Sequence, residues 1–198
     1  CCIAKDKKTT GLMVAVDATC SGLQILAGLA RDKSTAELVN VVPSNKPSDA
    51  YKAVAEQAKE FLPTYMHRWM NRAVCKRTVM TIPYNATKDS SRKYIREALL
   101  EEGIDPTKDE LTQVVNAVYN SMDTIVPGPM QVMRWIKKHV GQYIRNGATE
   151  VEWVTPSGFI VNQRRDDIET KQMELQLLGR TQVRLPTGKT SPSPNKHK

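Results

Sequence analysis

The 198-residue chain has the length of one ordinary domain, or of one and a half. Apolar residues make up 40% and charged residues 25%, which argues against collagen-like and wholly disordered chains. No apolar run approaches the ~18 residues that a membrane span needs. Lysine and arginine exceed aspartate and glutamate by eight, and the sequence pI is about 9.4. This excess charge indicates a polyanionic partner.

The first residues and the cysteines restrict the class of protein further. The chain begins with Cys1-Cys2, without an initiator methionine or a secretory leader, so we expect it to be the interior of a longer protein. With Cys20 and Cys75 there are four cysteines, and their spacing fits no metal site. Reduced thiols are therefore expected rather than a disulfide framework.

The N-terminal part predicts a strand followed by a helix. A short apolar run at 11–16 is typical of a buried strand, and Asp17 follows it with a carboxylate. Residues 20–30 predict a helix that Thr19 or Ser21 caps.

A second helix is expected after a loop at residues 43–48. Ser48 or Asp49 would cap this helix. Its apolar positions recur at nearly helical spacing: Tyr51, Val54, Ala55, Ala58 and Leu62.

The middle of the chain is basic and predicts further helices. One helix is expected from about Pro63 until Pro83 ends or kinks it, and another begins near residues 89–91. Beyond a break at Gly103, helices are expected at about 107–124 and 128–146.

The C-terminal part changes to a two-residue period. Residues 150–163 predict a β-hairpin with its turn at Pro-Ser-Gly, and about 170–185 predict a second one. The Pro/Ser/Lys-rich residues 186–198 predict a flexible loop or tail.

Four side chains suggest chemistry. Asp17 at a strand end suits a hard cation such as Mg²⁺, although from its position alone it more simply caps the next helix. Arg72 and Lys76 share a helix face, and Tyr84 lies about 12 Å further along the axis. This spacing suits a nucleotide triphosphate and its base. The alternative is a solvated basic face with a tyrosine at the helix end.

Two motifs in order carry a resemblance to a known family. VDATCSGLQ at 16–24 resembles motif A, and RAVCKRTVMTIPY at 72–84 resembles motif B, of the bacteriophage-type single-subunit RNA polymerases, which include mitochondrial enzymes. WVTPSGF at 153–159 is similar to a third family segment. The resemblance covers nearly the whole chain.

The resemblance implies templated RNA synthesis by a two-metal mechanism. Asp17 would be one of two aspartates that bind a Mg²⁺ pair. Arg72 and Lys76 would hold the triphosphate, with Lys76 a candidate catalytic proton donor to pyrophosphate. Tyr84 would select ribonucleotides.

The second predicted hairpin lies where the family has its promoter-reading loop. Arg180, Gln182 and Arg184 on one strand face suit base edges in a major groove. An ordinary exposed hairpin is the alternative. The implied partners are therefore template and promoter DNA, the RNA product and NTPs, with no membrane and no obligatory protein partner.

The sequence departs from the family pattern in two places. Asn85 replaces the usual glycine but tolerates a left-handed backbone, and Pro83 beside Tyr84 could alter the helix end. The second metal aspartate, in a His-Asp motif, is absent. We therefore expect the chain to be inactive alone.

The expected fold class is α+β, a partial right-hand polymerase fold. Residues 1–48 would form part of the palm, 49–148 helical fingers, 149–185 the hairpins, and 186–198 a truncated flexible segment. The expected location is the cytoplasm of an infected bacterium, with the mitochondrial matrix as the alternative.

Two other functions remain open from the sequence. One is a related single-subunit DNA polymerase, although the Cys-Ser-Gly-Leu-Gln after Asp17 favours RNA polymerase. The other is a non-catalytic basic module that binds nucleic acid, in which Asp17 only caps a helix.

Overall fold

The computed structural model describes residues 19–175 and 181–193, and the predicted α+β class is confirmed there. The helices are α1 (Ser21–Ala30), α2 (Lys33–Leu38), α3 (Ala50–Lys59), α4 (Arg72–Thr81), α5 (Lys88–Glu101), α6 (Lys108–Ile125) and α7 (Pro127–Arg145). Two 3-10 turns cover Thr64–Trp69 and Ile82–Tyr84. The strands are β1 (Val151–Val154), β2 (Ile160–Gln163), β3 (Asp166–Leu175) and β4 (Thr181–Pro192). Among the helices in these ranges, none combines the length and apolar character needed to cross a membrane.

The core lies between the helices. Helix α1 packs on α7, α3 packs on α6 and α4, and α4 packs on α5. The largest fully buried side chains come from several of these elements: Leu23, Met66, Met70, Ile95, Leu99 and Met122. Because α4 contacts neighbours on part of its surface only, its remaining face is free to carry exposed functional groups.

Two helices begin where the sequence predicts. Asp49 caps α3 by accepting hydrogen bonds from the backbone N–H groups of Tyr51 and Lys52. Thr107 and Glu110 form a reciprocal capping box at the start of α6. Both caps satisfy backbone donors that the first helical turn leaves unpaired.

The prediction of a single helix from Pro63 to Pro83 is wrong. The chain forms a 3-10 turn, then extends at Asn71, where φ is −131° and ψ is 175°, before α4 begins. The side chain of Asn71 accepts a hydrogen bond from the N–H of Val74 and so starts a new helix. Helix α4 itself ends at Thr81, and Pro83 lies within the following 3-10 turn.

The start of α1 also differs from the prediction. Neither Thr19 nor Ser21 caps it; Cys20 precedes it in a left-handed conformation, with φ 54°, and makes no side-chain cap. The hydroxyl of Ser21 instead lies 3.0 Å from the hydroxyl of Tyr84. The Ser21 hydroxyl is therefore bonded to a residue 63 positions away and does not cap the helix locally.

Both predicted hairpins are present. β1 and β2 pair antiparallel from Val151 opposite Gln163, and Gly158 in the turn has φ 83°, which favours glycine. β3 and β4 pair from Asp166 opposite Pro192, so β4 continues past residue 185, through part of the expected loop. The pairing shifts register between Ile168 and Thr170. The strand predicted at 11–16 lies outside the described residues.

Candidate functional site

Helix α4 presents one buried and one exposed face. The buried face, which packs into the core, consists of Val74, Cys75, Thr78 and Val79. Arg72 and Lys76 are both exposed, and their spacing of four residues places them on a common side of the helix. The prediction that both cations lie on a helix is confirmed.

Arg72 is held by α3. Its Nε donates a hydrogen bond of 2.6 Å to Oδ2 of Asp49, and its guanidinium lies 5.4 Å from the centre of the Tyr51 ring. The ion pair is partly exposed, with side-chain exposures of 51% and 37%, so its contribution to stability is modest. Within the described residues, the guanidinium uses one of its five N–H donors in a hydrogen bond, which leaves the others to an anion.

The carboxyl group of Asp49, which binds Arg72, is ionised. Desolvation alone would raise its pKa, but hydrogen bonds from Arg72 and from the backbone of Lys52 and Tyr51 lower the pKa below its ordinary value. Asp49 and Arg72 line a pocket of about 310 Å³ that also includes Cys20. The carboxylate therefore stays ionised at neutral pH and orients Arg72.

Lys76 is free of such constraints. Of the three cations on α4, Arg72 binds Asp49, and Arg77 binds Glu97 at 2.8 Å while its guanidinium lies 4.1 Å from the Tyr94 ring centre. Within the described ranges, Lys76 makes no hydrogen bond or ion pair. It is the group on this helix most available to a ligand.

Tyr84 ends the 3-10 turn that follows α4 and is 67% exposed. Its hydroxyl is 3.0 Å from Ser21 Oγ, where either group can donate. Together with Ser21, Gly22, Leu23, Met80 and Thr81, it lines a pocket of about 310 Å³. The ring therefore stands where the motif around Asp17 meets the motif on α4.

The two departures from the family pattern beside Tyr84 have structural outcomes. Asn85 has φ 66°, so the left-handed turn predicted there is confirmed. Pro83 lies within the 3-10 turn and packs on Gly22, where an added Cβ would lie 2.7 Å from Pro83 Cβ. Pro83 therefore does not remove Tyr84 from the site.

The expected metal ligand Asp17 lies outside the described residues. In the part that the structure describes, no group of three histidine, cysteine, aspartate or glutamate side chains is placed to hold a metal ion. Asp49 already binds Arg72 and two backbone N–H groups. The described residues thus do not form a magnesium site by themselves, and the role of Asp17 stays a prediction.

The residues predicted to read base edges lie on the second hairpin. Gln182 and Arg184 are exposed and two residues apart on β4, so they share a strand face. Gln182 hydrogen-bonds Gln172 across the hairpin. Arg184 has no hydrogen bond or ion pair in the described ranges, and Arg180 lies outside them.

Sequence reasoning missed three supports of this site. Ser21 binds Tyr84, Asp49 orients Arg72, and Tyr119 donates a hydrogen bond of 3.1 Å to the carbonyl of Ala86 just beyond Tyr84. Asp49 was predicted only as a helix cap. The partners of Ser21 and Tyr119 lie 63 and 33 residues away, so no local pattern indicates these bonds.

Comparison with known proteins agrees with the motifs. The model of the DNA-dependent RNA polymerase family matches residues 4–198. The chain is 31% identical to the mitochondrial DNA-directed RNA polymerases of Mus musculus and Homo sapiens, over 77% and 82% of this chain and 14% of each relative. It is 26% identical to T7 RNA polymerase of Escherichia phage T7, over 91% of this chain and 27% of that protein. The chain thus spans between about a seventh and about a quarter of these relatives, and it belongs to the DNA-dependent RNA polymerase family.

Proposed function

We propose that the chain contributes to template-directed nucleotidyl transfer from NTPs to an RNA 3′ end, as part of a DNA-directed RNA polymerase with a right-hand fold. The observation that carries this proposal is the contact between the two motifs. Ser21, four residues after Asp17, meets Tyr84 at the end of the helix that carries Arg72 and Lys76. A nucleotide-binding helix beside a metal-binding segment is the arrangement that this reaction needs.

The exposed face of α4 supports the assignment of roles. Arg72, oriented by Asp49, and Lys76 would hold the triphosphate, since guanidinium and ammonium groups both bind phosphate oxygens. Lys76 is the candidate proton donor to pyrophosphate because its amine has no competing partner in the described ranges. Tyr84 would contact the base and ribose.

We further propose that Asp17 supplies one carboxylate of a two-magnesium site of the family type. Bound Mg²⁺ would stabilise the negative charge that develops during phosphoryl transfer. The 198 residues contain no His-Asp motif that could supply the second carboxylate. We therefore expect these residues alone not to extend a primer, and detectable extension by the purified 198-residue chain would contradict this.

Partners and location follow from the same proposal. Template DNA, RNA and NTPs would be bound through the basic surface, with affinity that falls as salt rises. The relatives include phage and mitochondrial enzymes. We propose a phage enzyme that works in the cytoplasm of an infected bacterium, with the mitochondrial matrix as the alternative.

The hairpin β3–β4 is proposed to contact promoter DNA through Arg180, Gln182 and Arg184. The exposure of Gln182 and Arg184 on one strand face supports this. The test is Arg184→Ala in the full-length protein, with Lys189→Ala on the same strand as control. Sequencing of RNA 5′ ends should show loss of preferred start sites in the first variant only, and unchanged start sites would refute the assignment.

The test of the central proposal uses template-dependent incorporation of labelled rNTPs by the full-length protein. Asp17→Ala and Lys76→Ala should lower kcat about a hundredfold or more, because each removes a group that stabilises developing charge. Lys93→Ala, an exposed lysine on α5, serves as the control and should stay within about twofold of wild type.

Two outcomes would favour the other functions. Full activity in a folded Asp17→Ala variant would indicate a non-catalytic nucleic-acid-binding module. Preferential use of dNTPs by the wild-type protein would indicate a DNA polymerase.

A further inference from the structure

The phenol of Tyr84 is held by the hydroxyl of Ser21. Its phenol makes its hydrogen bond within the described ranges with Ser21 Oγ, at 3.0 Å, while 67% of the residue remains exposed. An exposed tyrosine at the end of a 3-10 turn can adopt several ring orientations. The bond to Ser21 therefore selects one of them.

The backbone around Ser21 makes this contact close. A Cβ atom on Gly22 would lie 2.7 Å from Cβ of Pro83 and 3.3 Å from Cζ of Tyr84. The first turn of α1 thus packs directly against the 3-10 turn, at a distance that only glycine permits. The contact between Ser21 and Tyr84 follows from packing of the α1 backbone at Gly22 against the side chains of Pro83 and Tyr84.

A second bond fixes the chain on the other side of Tyr84. The Tyr119 hydroxyl donates to the carbonyl of Ala86 at 3.1 Å and lies 3.2 Å from Oγ of the buried Ser91. Asn85 makes the left-handed turn between them. The backbone after Tyr84 is therefore anchored to α6, and the phenol is anchored to α1.

We propose that Ser21 is a positioning residue for sugar selection, because its hydroxyl holds the Tyr84 phenol in one orientation at the edge of the pocket between α1 and α4. This inference rests on the proposed function, in which Tyr84 faces the ribose. When one of the two hydroxyls donates to the other, one hydrogen and free lone pairs remain for a ligand. A ribose 2′-hydroxyl can pair with them, whereas a deoxyribose leaves them unpaired, which a closely fitted site penalises.

The test compares kcat/KM for rNTPs and dNTPs in the full-length protein. Ser21→Ala should lower the ratio of ribo- to deoxyribonucleotide use by about three- to tenfold, the equivalent of one ordinary hydrogen bond. Ser21→Thr keeps the hydroxyl and should retain most of the ratio. The matched control is Ser90→Ala, which also removes a serine hydroxyl from the first turn of a helix, there bonded to Thr87 Oγ1 at 3.2 Å.

A double-mutant cycle separates positioning from general disturbance. If Ser21 acts through Tyr84, the combination of Ser21→Ala with Tyr84→Phe should lower the ratio no further than the larger single change. The inference would be overturned if the fold-changes of the two single variants in this ratio multiplied in the double variant. It would also be overturned if Ser21→Ala left the ratio unchanged.

The same experiment distinguishes this inference from the proposed function. A wild-type protein that incorporates no nucleotide would overturn both. A ratio that Tyr84→Phe lowers and Ser21→Ala leaves unchanged would retain the proposed function and reject the role of Ser21.

Discussion

Oδ2 of Asp32 accepts a hydrogen bond of 3.1 Å from the backbone N–H of Gly128, 96 residues further along the chain. The same carboxylate caps α2 by accepting from the N–H of Thr35 and from the hydroxyls of Ser34 and Thr35. One side chain therefore joins the start of α2 to the first turn of α7. The segment after motif A is tied in this way to the helix that packs on α1.

Substitution of Gly128 by alanine should destabilise the fold. The new Cβ would lie 2.6 Å from both Cβ and Oδ2 of Asp32 and 3.0 Å from Cβ of Ala30, so α7 would have to move. We expect a loss of about 1–3 kcal/mol in the free energy of unfolding, measured by urea denaturation. Gly28→Ala on α1 is the matched control: apart from its chain neighbours and its own helix backbone, no atom of the described residues lies within 4 Å of the added Cβ. It should be neutral or stabilising. Equal effects of the two substitutions would contradict the packing argument.

The Asp32 cluster should make stability depend on pH in the acid range. Desolvation raises the pKa of this carboxyl, but its bonds from Thr35, Ser34 and Gly128 outweigh that effect and lower the pKa to about 2. A lowered pKa in the folded state stabilises the protein above the unfolded value near 4, and this contribution disappears as the pH falls towards 2. At pH 7 the free energy of unfolding of the wild-type protein should exceed that of Asp32→Ala by about 1 kcal/mol or more, after allowance for solvent screening. At pH 3 the difference should be smaller. A difference between the two proteins that is constant between pH 7 and pH 3 would contradict this.

Asp49→Asn should weaken nucleotide binding without removing the helix cap. Asparagine caps helices as well as aspartate does, but the substitution removes the negative charge that pairs with Arg72. If Arg72 holds the triphosphate as proposed, KM for rNTPs should rise about three- to tenfold while kcat stays within about twofold. Glu56→Gln removes the exposed partner of Lys59 on α3 and should change neither constant. An unchanged KM in Asp49→Asn would exclude Asp49 as the group that orients Arg72.

Tyr119→Phe should loosen the turn that follows Tyr84. The substitution removes the donor to the carbonyl of Ala86 and leaves the hydroxyl of the buried Ser91 without this partner. We expect a loss of about 1–3 kcal/mol in the free energy of unfolding and faster amide exchange at Ala86, whose N–H donates to the carbonyl of Thr81. Tyr143→Phe, on an exposed part of α7, is the control and should have little effect. Amide exchange that does not respond to Tyr119→Phe would argue against anchoring.

The sequence predicts those parts of the fold that short-range patterns specify. Helix α6 begins at the Thr107–Glu110 capping box, and the β1–β2 turn falls at Gly158, because both depend on neighbouring residues alone. The break before α4 was not predicted. There the cap provided by Asn71 outweighs the helical period that runs through it.

The site was predictable as a set of residues and not as an arrangement. The spacing of Arg72 and Lys76 indicates a shared helix face, and the structure agrees. The bonds of Asp49 to Arg72 and of Ser21 to Tyr84 join residues 23 and 63 positions apart. They depend on how α1, α3 and α4 pack, which no periodicity in the chain encodes.

The three groups proposed to face a ligand, two on α4 and one at the end of the following 3-10 turn, differ in how much freedom they retain. Arg72 and Tyr84 are each held by a partner, whereas Lys76 has none in the described ranges. Ordering a long lysine side chain costs up to about 2 kcal/mol of conformational entropy, and this cost arises only when an anion binds. Two of the groups are thus ordered in advance, and the third becomes ordered with its ligand. If a triphosphate binds at this helix as proposed, the entropy cost of ordering side chains should therefore come mainly from Lys76.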